Sequence, residues 1–448
     1  MVFDSYCQVV SLASSSLHGN LVNLIERHPE IRMETKKRGL TKLNFRLDMA
    51  PKIQYIFGAM FNREINPAKS KSYFLFGPRQ TGKSTFVKSL ITGKDLYIDL
   101  LPQRNFLNYA KNPGRVREEI LAHLRRYDNP LCIIDEIQKI PTLLDEVHEL
   151  IESKGIRFIL TGSSARKLRR GGANLLAGRA YTYYLFPLTF TEIGDRFDLD
   201  KALAIGSLPV LWSSRKEDPY EFLRSYTETY LKEEVAAEGL VRNIGPFAQF
   251  LDIAAANDGE TVNFNNIARE CSVSVKTVQQ YYQILEDTFL ALRLPAWTKS
   301  ERRRLVSHPR YYLFDTGVTN SLAHTLTDQL NPKIFGRRFE QFVISQLVAF
   351  IHYKRLDCQL YYWRTNHGAE VDVLLCTGNR MICALEIKSS QNIARERLKR
   401  LKSFMEDNPG VPAYVLGYRQ NRRQLQNDIT VINWDAFILE LLSILDLD

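Results

Sequence analysis

The stretch Gly77-Pro78-Arg79-Gln80-Thr81-Gly82-Lys83-Ser84 fits the pattern G-x-x-x-x-G-K-[ST], and the apolar run Ser72–Phe76 comes directly before it. Apolar residues at helical spacing follow from Ser84 to Leu90. A strand, a glycine-bearing loop and a helix in this order predict main-chain N–H groups that surround a phosphate at the positive end of a helix dipole. The residues expected to line this loop are Gly77, Pro78, Arg79, Gln80, Thr81, Gly82, Lys83, Ser84 and Thr85.

A loop of this kind also predicts its ligands, ATP and Mg²⁺. Lys83 would bridge β- and γ-phosphate oxygens, and Ser84 would hold the metal. A second segment, Leu131–Glu136, is an apolar run that ends in two acids. Asp135 is expected to orient Mg²⁺ through its water shell and Glu136 to polarise the attacking water. The other interpretation is a strand followed by a solvated loop, and the phosphate loop upstream favours the catalytic one.

Further apolar runs indicate an α/β core. The candidate strands Asp95–Leu100, Leu131–Ile134 and Arg157–Leu160 are apolar on both faces, as buried parallel strands are. Helical stretches lie between them, at Arg115–Arg126 and Leu143–Ser153. The alternation predicts a parallel sheet covered by helices.

Small hydroxyl residues end the strand after the acids, in Thr161-Gly162-Ser163-Ser164. Ser163 is the candidate that senses the γ-phosphate, and a helix N-cap is the alternative. Arginines follow, and any of them could place a guanidinium against transition-state charge; Arg179 is the preferred one. These arginines are Arg166, Arg169, Arg170 and Arg179.

The motif series from Tyr73 to Glu192 resembles a known group of proteins. It comprises residues 76–84, Ile-Asp-Glu-Ile-Gln (134–138), Leu-Thr-Gly-Ser-Ser (160–164), Leu-Ala-Gly-Arg (176–179) and Phe-Pro-Leu-Thr-Phe-Thr-Glu-Ile (186–193). This series is similar to that of bacterial and archaeal AAA-type P-loop ATPases with a C-terminal domain of unknown function. The resemblance spans most of the chain from Ser70 onward and implies ATP binding and hydrolysis.

Composition is that of a folded protein, with 45% hydrophobic and 25% charged residues among 448. A net charge of +10 favours polyanionic partners such as DNA or RNA. No apolar stretch of about 18 residues occurs and no leader pattern is evident, so we expect no membrane association and a cytoplasmic location. The six scattered cysteines suggest neither a zinc site nor disulfides.

The middle of the chain has the spacing of a helix-turn-helix. Phe264–Arg269 and Val275–Leu285 are the two helices, and the basic run Arg302-Arg303-Arg304 with Tyr311–Phe314 would form a wing and its return strand. The module resembles winged-helix domains. It would read DNA, or instead pack on the ATPase as a protein-contact lid. The residues on the would-be recognition helix are Ser274, Lys276, Thr277, Gln279 and Gln280.

Acidic and basic residues recur near the C-terminus on a helix and two β runs. Glu340 lies on the helix Arg337–Val348, Asp372 begins one run, and Glu386 and Lys388 end another on one face. Asp followed by Glu-x-Lys resembles the PD-(D/E)XK nuclease core. Asp372 and Glu386 would bind Mg²⁺, Glu340 would complete the shell and Lys388 would activate water. The alternative is an inherited fold kept for binding, with ion pairs between these residues.

The expected architecture is therefore α/β: a P-loop ATPase core with a parallel sheet, then a helical winged-helix-like module, then an α/β restriction-endonuclease-like domain. The leading hypothesis couples nucleotide state to nucleic-acid binding and cleavage; the alternative is a nucleotide-switched scaffold that binds a protein partner or itself. The expected divisions are 1–66 of unknown role, 67–215 ATPase, 216–319 winged-helix-like and 320–448 nuclease-like.

Overall fold

Two β-sheets and a helical region between them make up the fold. The computed structural model describes residues 33–36, 40–43, 61–166, 168, 176–213, 217–231, 244–298, 308–365, 369–390, 393, 398–425 and 428–445. Among these, β1 (Met33–Lys36) and β2 (Leu40–Leu43) form a two-stranded antiparallel pair. Of the residues named above, Arg169, Arg170, Arg302, Arg303 and Arg304 lie outside the described residues.

The first sheet is parallel, as the sequence predicts, and its strands stand in the order β4-β5-β6-β3-β7. Every residue of β3 is buried, which explains the uninterrupted apolar run before the phosphate loop. Separate hydrophobic clusters cover the two faces of this sheet. Its strands are β3 (Ser72–Phe76), β4 (Leu96–Asp99), β5 (Leu131–Asp135), β6 (Arg157–Gly162) and β7 (Ala180–Tyr184).

Helices connect the parallel strands, because each parallel pair needs a crossover. Four further helices follow β7, and the last of them leads into the middle region. In chain order the helices are α1 (Lys83–Ser89), α2 (Gln103–Lys111), α3 (Gly114–Leu124), α4 (Leu143–Lys154), α5 (Phe190–Ile193), α6 (Leu199–Ile205), α7 (Pro209–Trp212) and α8 (Pro219–Ser225).

The middle region has the helix, tight turn, helix order that its spacing predicts. Asn263 and Ser274 cap the second and third helices, since each side chain accepts a hydrogen bond from a first-turn N–H. An antiparallel pair of strands follows, and a bridge from Thr261 extends it. The elements are α9 (Ile244–Ala256), α10 (Phe264–Glu270), α11 (Val275–Asp287), β8 (Ala291–Leu294), β9 (Arg310–Leu313) and α12 (Thr316–Leu322).

The C-terminal region is a six-stranded mixed sheet with the order β10-β11-β12-β13-β15-β14. Its first three strands form an antiparallel meander, and β12, β13 and β15 run parallel. The long helix α13 packs on one face. The elements are α13 (Pro332–Tyr353), β10 (Gln359–Arg364), β11 (Glu370–Thr377), β12 (Arg380–Lys388), α14 (Lys399–Asp407), β13 (Ala413–Gly417), β14 (Arg423–Gln424), β15 (Ile429–Asn433), α15 (Trp434–Leu439) and α16 (Leu441–Ile444).

The segment after β7 joins the later regions to the first sheet. Leu199, Leu203 and Trp212 are buried in the same hydrophobic core as α13 and the C-terminal sheet. At the other side of α6, Gly317 of α12 lies so close to the main chain that a Cβ there would stand 2.1 Å from the carbonyl oxygen of Ile205. A glycine is therefore required for the two helices to meet.

We expect Gly317→Ala to lower the free energy of unfolding by about 1–3 kcal/mol, because the added methyl group forces packed backbone apart. Urea denaturation followed by circular dichroism measures the change. Gly93→Ala is the matched control, since a Cβ at Gly93 meets no atom within 4 Å. Equal stability of the two variants would contradict the close contact.

Candidate functional site

The phosphate loop and the two acids lie at the same edge of the first sheet. The loop follows β3, Asp135 ends β5 and Glu136 follows it, and the single strand β6 separates β3 from β5. All three strands run parallel, so their carboxyl ends lie on one edge, with neighbouring strands about 4.8 Å apart. The sheet thus brings together the two groups that the sequence assigned to ATP.

The loop backbone takes the shape that a phosphate cradle needs. Gly82, the cap of α1, has a φ of 89°, and Gln80 also lies in the left-handed region. A Cβ at Gly77 would come within 2.2 Å of the carbonyl oxygen of Leu185, so only glycine fits there. The ammonium of Lys83 donates hydrogen bonds of 2.8 Å to the carbonyl oxygens of Gly77 and Pro78, which places it inside the curve of the loop.

Asp135 is buried and faces two hydroxyl groups. Its Oδ1 accepts a hydrogen bond from Thr161 and its Oδ2 accepts one from Tyr97. These bonds fix the carboxylate at the end of β5. Ser84 lies half-buried in the first turn of α1. A carboxylate and a hydroxyl are oxygen ligands of the kind that Mg²⁺ prefers, so this pair fits the expected metal.

Glu136 and Ser163 lie within contact of one another, as expected for two groups at the γ-phosphate. The Ser163 hydroxyl lies 3.4 Å from Glu136 Oε2. Gln138, which was not among the predicted catalytic residues, completes the cluster: its side-chain amide donates to the Glu136 carboxylate and, at 3.1 Å, to Ser163 Oγ. The Gln138 Oε1 atom is buried without a hydrogen-bond partner among the described residues. Glu136 itself has a φ of 62°, a strained value of the kind found at functional sites.

Arg179 does not join this cluster. It directly precedes β7, and Ala180 is in register with Ser72 at the start of β3, so Arg179 lies at the amino-terminal edge of the sheet, opposite the phosphate loop. There its guanidinium pairs with Glu152 near the end of α4. Within one chain, a strand length of about 17 Å therefore separates Arg179 from the phosphate loop. Its expected place against transition-state charge stays a prediction.

Arg63 holds the phosphate loop from outside the predicted ATPase segment. Its buried guanidinium donates to the carbonyl oxygen of Thr81 at 2.7 Å, to Glu192 at 2.9 Å and to the hydroxyl of Tyr353 at 2.9 Å. One side chain thus connects the loop, α5 and the end of the long helix α13. Sequence reasoning missed it because no local motif surrounds Arg63.

The loop after β6 contacts the end of α11. Arg166 pairs with Asp287 at 2.8 Å, and the N–H of Ala165 donates to the Asp287 carbonyl oxygen at 3.2 Å. Two residues beyond α11, the ring of Phe289 stacks on Phe76, the residue before the phosphate loop, with centroids 5.7 Å apart. The sequence makes Arg166 a secondary candidate for phosphate contact. In this structure it forms an ion pair between the predicted ATPase segment and the middle region.

The first half of α11 is open to solvent. Ser274, Lys276, Gln279 and Gln280 are exposed and Thr277 is half-buried, whereas the opposite face of the helix packs into the core of the middle region. The Ser274 hydroxyl accepts from the Thr277 N–H, which leaves Lys276 and the two glutamines as the accessible polar groups.

The predicted acidic residues of the C-terminal region lie close together, but cations accompany them. Lys388 Nζ lies 2.6 Å from Glu386 and 3.6 Å from Asp372, and Arg310 of β9 lies 3.6 Å from Glu340. Burial and the neighbouring Asp372 raise the pKa of both Glu340 and Glu386. Burial alone would lower the pKa of Lys388, but the two carboxylates raise it above its ordinary value.

These carboxylates do not form a ready metal site. Across the part of the chain that the structure describes, no group of three or more His, Cys, Asp or Glu side chains is arranged to hold a metal ion. The hydroxyl of Tyr312 and the guanidinium of Arg310 contact the same Glu340 oxygen in this conformation. The expected shell of Asp372, Glu386 and Glu340 stays a prediction.

A cavity of about 350 Å³ lies where the three regions meet. Its wall includes Gly77 and Pro78 of the phosphate loop, Phe289 just after α11, Arg293 of β8 and His352 of α13. The junction beside the phosphate loop is thus not fully packed.

We expect Arg63→Met to destabilise the fold by about 3–5 kcal/mol at neutral pH, because it leaves the Glu192 carboxylate buried without its cation. Burial already raises the pKa of Glu192 above 4.5, and losing Arg63 raises it further. When the pKa of a carboxyl group is higher in the folded state than in the unfolded state, the folded protein loses stability as pH rises from the unfolded-state pKa through the folded-state pKa.

The difference in unfolding free energy between Arg63→Met and wild type should therefore shrink as pH is lowered from 8 to 5. Denaturation curves at several pH values measure it. Arg179→Met, which removes an exposed pair, is the control and should differ little from wild type. A pH-independent difference would show that Glu192 is not the group left behind.

Three family models match successive parts of the chain. Residues 69–194 match the AAA domain family, residues 196–329 match a domain of unknown function (DUF8612), and residues 335–437 match another domain of unknown function (DUF4143). The AAA match supports ATP binding at the phosphate loop. Within the described residues no helix combines the length and apolar character needed to cross a bilayer.

Similar proteins occur in bacteria and archaea. Uncharacterised proteins of Mycobacterium bovis and Mycobacterium tuberculosis are each 30% identical over 332 residues, which cover 72% of this chain and 71% of theirs. An uncharacterised protein of Methanocaldococcus jannaschii is 23% identical over 374 residues, covering 77% of this chain and 81% of its own. This chain, with an AAA domain followed by two domains of unknown function, therefore belongs to the same family as the two mycobacterial proteins.

Proposed function

We propose that this protein hydrolyses ATP and uses the nucleotide state to position a nucleic-acid-binding middle and C-terminal half. The observation that carries the proposal is the meeting of the phosphate loop, Asp135 and Glu136 at one sheet edge. Ser163, which directly follows the intervening strand β6, contacts Glu136 there. Binding alone would need only the loop. A fixed acid pair beside it supports hydrolysis.

Each side chain has a definable task in that reaction. Lys83 would exchange its bonds to the loop carbonyls for phosphate oxygens, and Ser84 and Asp135 would hold Mg²⁺, which supplies charge neutralisation at the phosphates when bound. Glu136 would accept a proton from the attacking water. Gln138 holds the Glu136 carboxylate through its amide N–H, while its buried Oε1 remains available to orient that water.

Coupling to the later regions would pass through two contacts. The Arg166–Asp287 pair ties the loop after Ser163 to α11, so a shift of Ser163 toward a γ-phosphate reaches the exposed helix within a few residues. Arg63 ties the phosphate loop to Tyr353 at the end of α13. A bound triphosphate that orders these loops would change how both regions are held, and hydrolysis would release them.

Nucleic acid is the proposed partner of the middle region. The exposed start of α11 presents Lys276, Gln279 and Gln280, side chains that contact phosphates and base edges, and the whole chain carries a net charge of +10. The competing function is a nucleotide-switched scaffold for a protein partner. The burial of the far end of α11 against the AAA domain favours a lid role of that kind.

For the C-terminal region we propose nucleic-acid binding without cleavage in the present conformation. Arg310 and Lys388 neutralise the carboxylates that a nuclease would use for metal. This charge arrangement supports the binding alternative, and it leaves cleavage dependent on a rearrangement.

We expect Lys83→Ala to abolish ATP binding, because the loop loses the cation that faces the phosphates. We expect Glu136→Gln to keep the affinity for ATP but slow hydrolysis by about 100-fold or more, because the amide cannot take a proton. Equilibrium binding of a fluorescent ATP analogue and release of inorganic phosphate measure the two effects. Lys94→Ala, which changes an exposed lysine of the same domain, is the control and should retain the wild-type rate of hydrolysis. Wild-type hydrolysis in Glu136→Gln would remove Glu136 from the role.

We expect the triple variant Lys276→Ala, Gln279→Ala, Gln280→Ala to bind DNA or RNA about tenfold more weakly, with a shallower dependence on salt. Fluorescence anisotropy with a labelled duplex and a labelled single strand measures both. Lys94→Ala, an exposed lysine on the AAA domain, is the matched control. If the wild-type protein shows neither salt-sensitive binding nor a change of ATPase rate with nucleic acid, the scaffold function is favoured.

A further inference from the structure

Arg310 is a buried cation of the middle region that lies among the carboxylates of the C-terminal region. It begins strand β9 of the middle region, and its side chain is only 6% exposed. The guanidinium pairs with Glu370, lies 3.6 Å from Glu340, and stands over the ring of Tyr362 at 4.8 Å. These three partners belong to β11, α13 and β10 of the C-terminal region, and Arg310 also interacts with Tyr312 of its own strand.

The carboxylates beside it are incompletely satisfied. Glu386 is 4% exposed, yet its Oε2 atom has no hydrogen-bond partner among the described residues. Asp372 accepts from the Ile387 N–H at 2.8 Å and faces Lys388, and Asp372 also interacts electrostatically with Glu340. A buried oxygen without a partner is costly, so the cations that the chain places in this cluster do not satisfy every carboxylate oxygen.

The charges decide which cation can enter. Glu340, Asp372 and Glu386 share two internal cations, Arg310 and Lys388. A divalent ion placed among the carboxylates would lie within a few ångströms of both positive groups in a region of low dielectric, where like charges repel strongly. Lys388 lies on the same strand as Glu386, whereas Arg310 is held by a different region and could be withdrawn.

We propose that Arg310 is a resident cation that excludes divalent metal from the carboxylates of the C-terminal region, so that these carboxylates become a metal site only when β9 moves away. The inference rests on the proposed role of this region, but its test does not require cleavage. It explains why predicted metal ligands lie together without forming a metal-binding group.

Strand β9 is connected to the nucleic-acid-facing helix, which supplies a way to move it. Tyr311, the residue after Arg310, stacks on Tyr282 of α11 with centroids 4.2 Å apart and donates a hydrogen bond of 2.8 Å to Glu286 of the same helix. A displacement of α11 would therefore carry Arg310 with it. Metal binding at Asp372 and occupancy of α11 are linked through this strand.

The direct test is Mn²⁺ binding to nucleotide-free protein, with free Mn²⁺ counted by electron paramagnetic resonance. We expect Arg310→Gln and Arg310→Met to bind Mn²⁺ at least tenfold more tightly than wild type, and Arg310→Lys to stay within about threefold because it keeps the charge. Adding Asp372→Asn to Arg310→Gln should cancel the gain.

Arg364→Gln is the matched control for net charge. Arg364 is exposed and lies 4.0 Å from Glu370, but the structure gives it no ion pair with Glu340. This variant should bind Mn²⁺ as wild type does. An equal gain in Arg364→Gln, or no gain in a folded Arg310 neutral variant, would overturn the proposal.

A second measurement uses the wild-type protein, in case the neutral variants do not fold. Saturating Mn²⁺ should displace Arg310 and increase its modification by phenylglyoxal several-fold, read by peptide mass spectrometry. Arg338, a buried arginine beside Asp258, should not change. Continued protection of Arg310 at every Mn²⁺ concentration counts against displacement. Plasmid cleavage is scored separately: a tighter Mn²⁺ site in Arg310→Gln without cleavage would support the resident cation and refute a nuclease.

Discussion

The parallel register of β5, β6 and β3 is the constraint on which the rest of the structure depends. Phe76 stands opposite Gly162, and Ile134 stands opposite Leu160, so the chain leaves all three strands at the same edge. Both faces of these strands are buried, so a shift of one residue would exchange every side chain between two packed cores. The positions of the acids relative to the phosphate loop are therefore set by the packing of the whole sheet and not by local loop contacts.

Near that edge, a small number of buried contacts hold the middle and C-terminal regions to the AAA domain. The ion pair between Arg166 and Asp287 and the stacking of Phe289 on Phe76 attach the middle region on both sides of the phosphate loop. Arg63 attaches the C-terminal region through α13. Charged contacts of this kind are costly to break one at a time, because the partner stays buried.

Sequence could predict what is local and could not predict what is brought together only by folding. The apolar run before Gly77 and the motif itself identified the strand, loop and helix, and the parallel sheet followed from strands that are apolar on both faces. Arg179 was placed by its neighbours in sequence, yet the direction of β7 puts it at the opposite edge. Arg63 contacts Glu192, which lies more than a hundred residues later in the chain, and Arg310 contacts Glu340, about thirty residues later. No local sequence pattern marks either arginine. The winged-helix and nuclease assignments remain predictions.

The cavity at the junction of the three regions has a thermodynamic consequence. Its wall is largely aromatic and aliphatic, and its lining residues include Phe289, which follows α11, and Phe342 and His352 of α13. If a triphosphate draws the regions together, apolar surface that faces this space is removed from water in addition to the surface that the ligand covers. The association would then show a heat-capacity change more negative than contact with the nucleotide alone can account for, and its enthalpy would vary steeply with temperature.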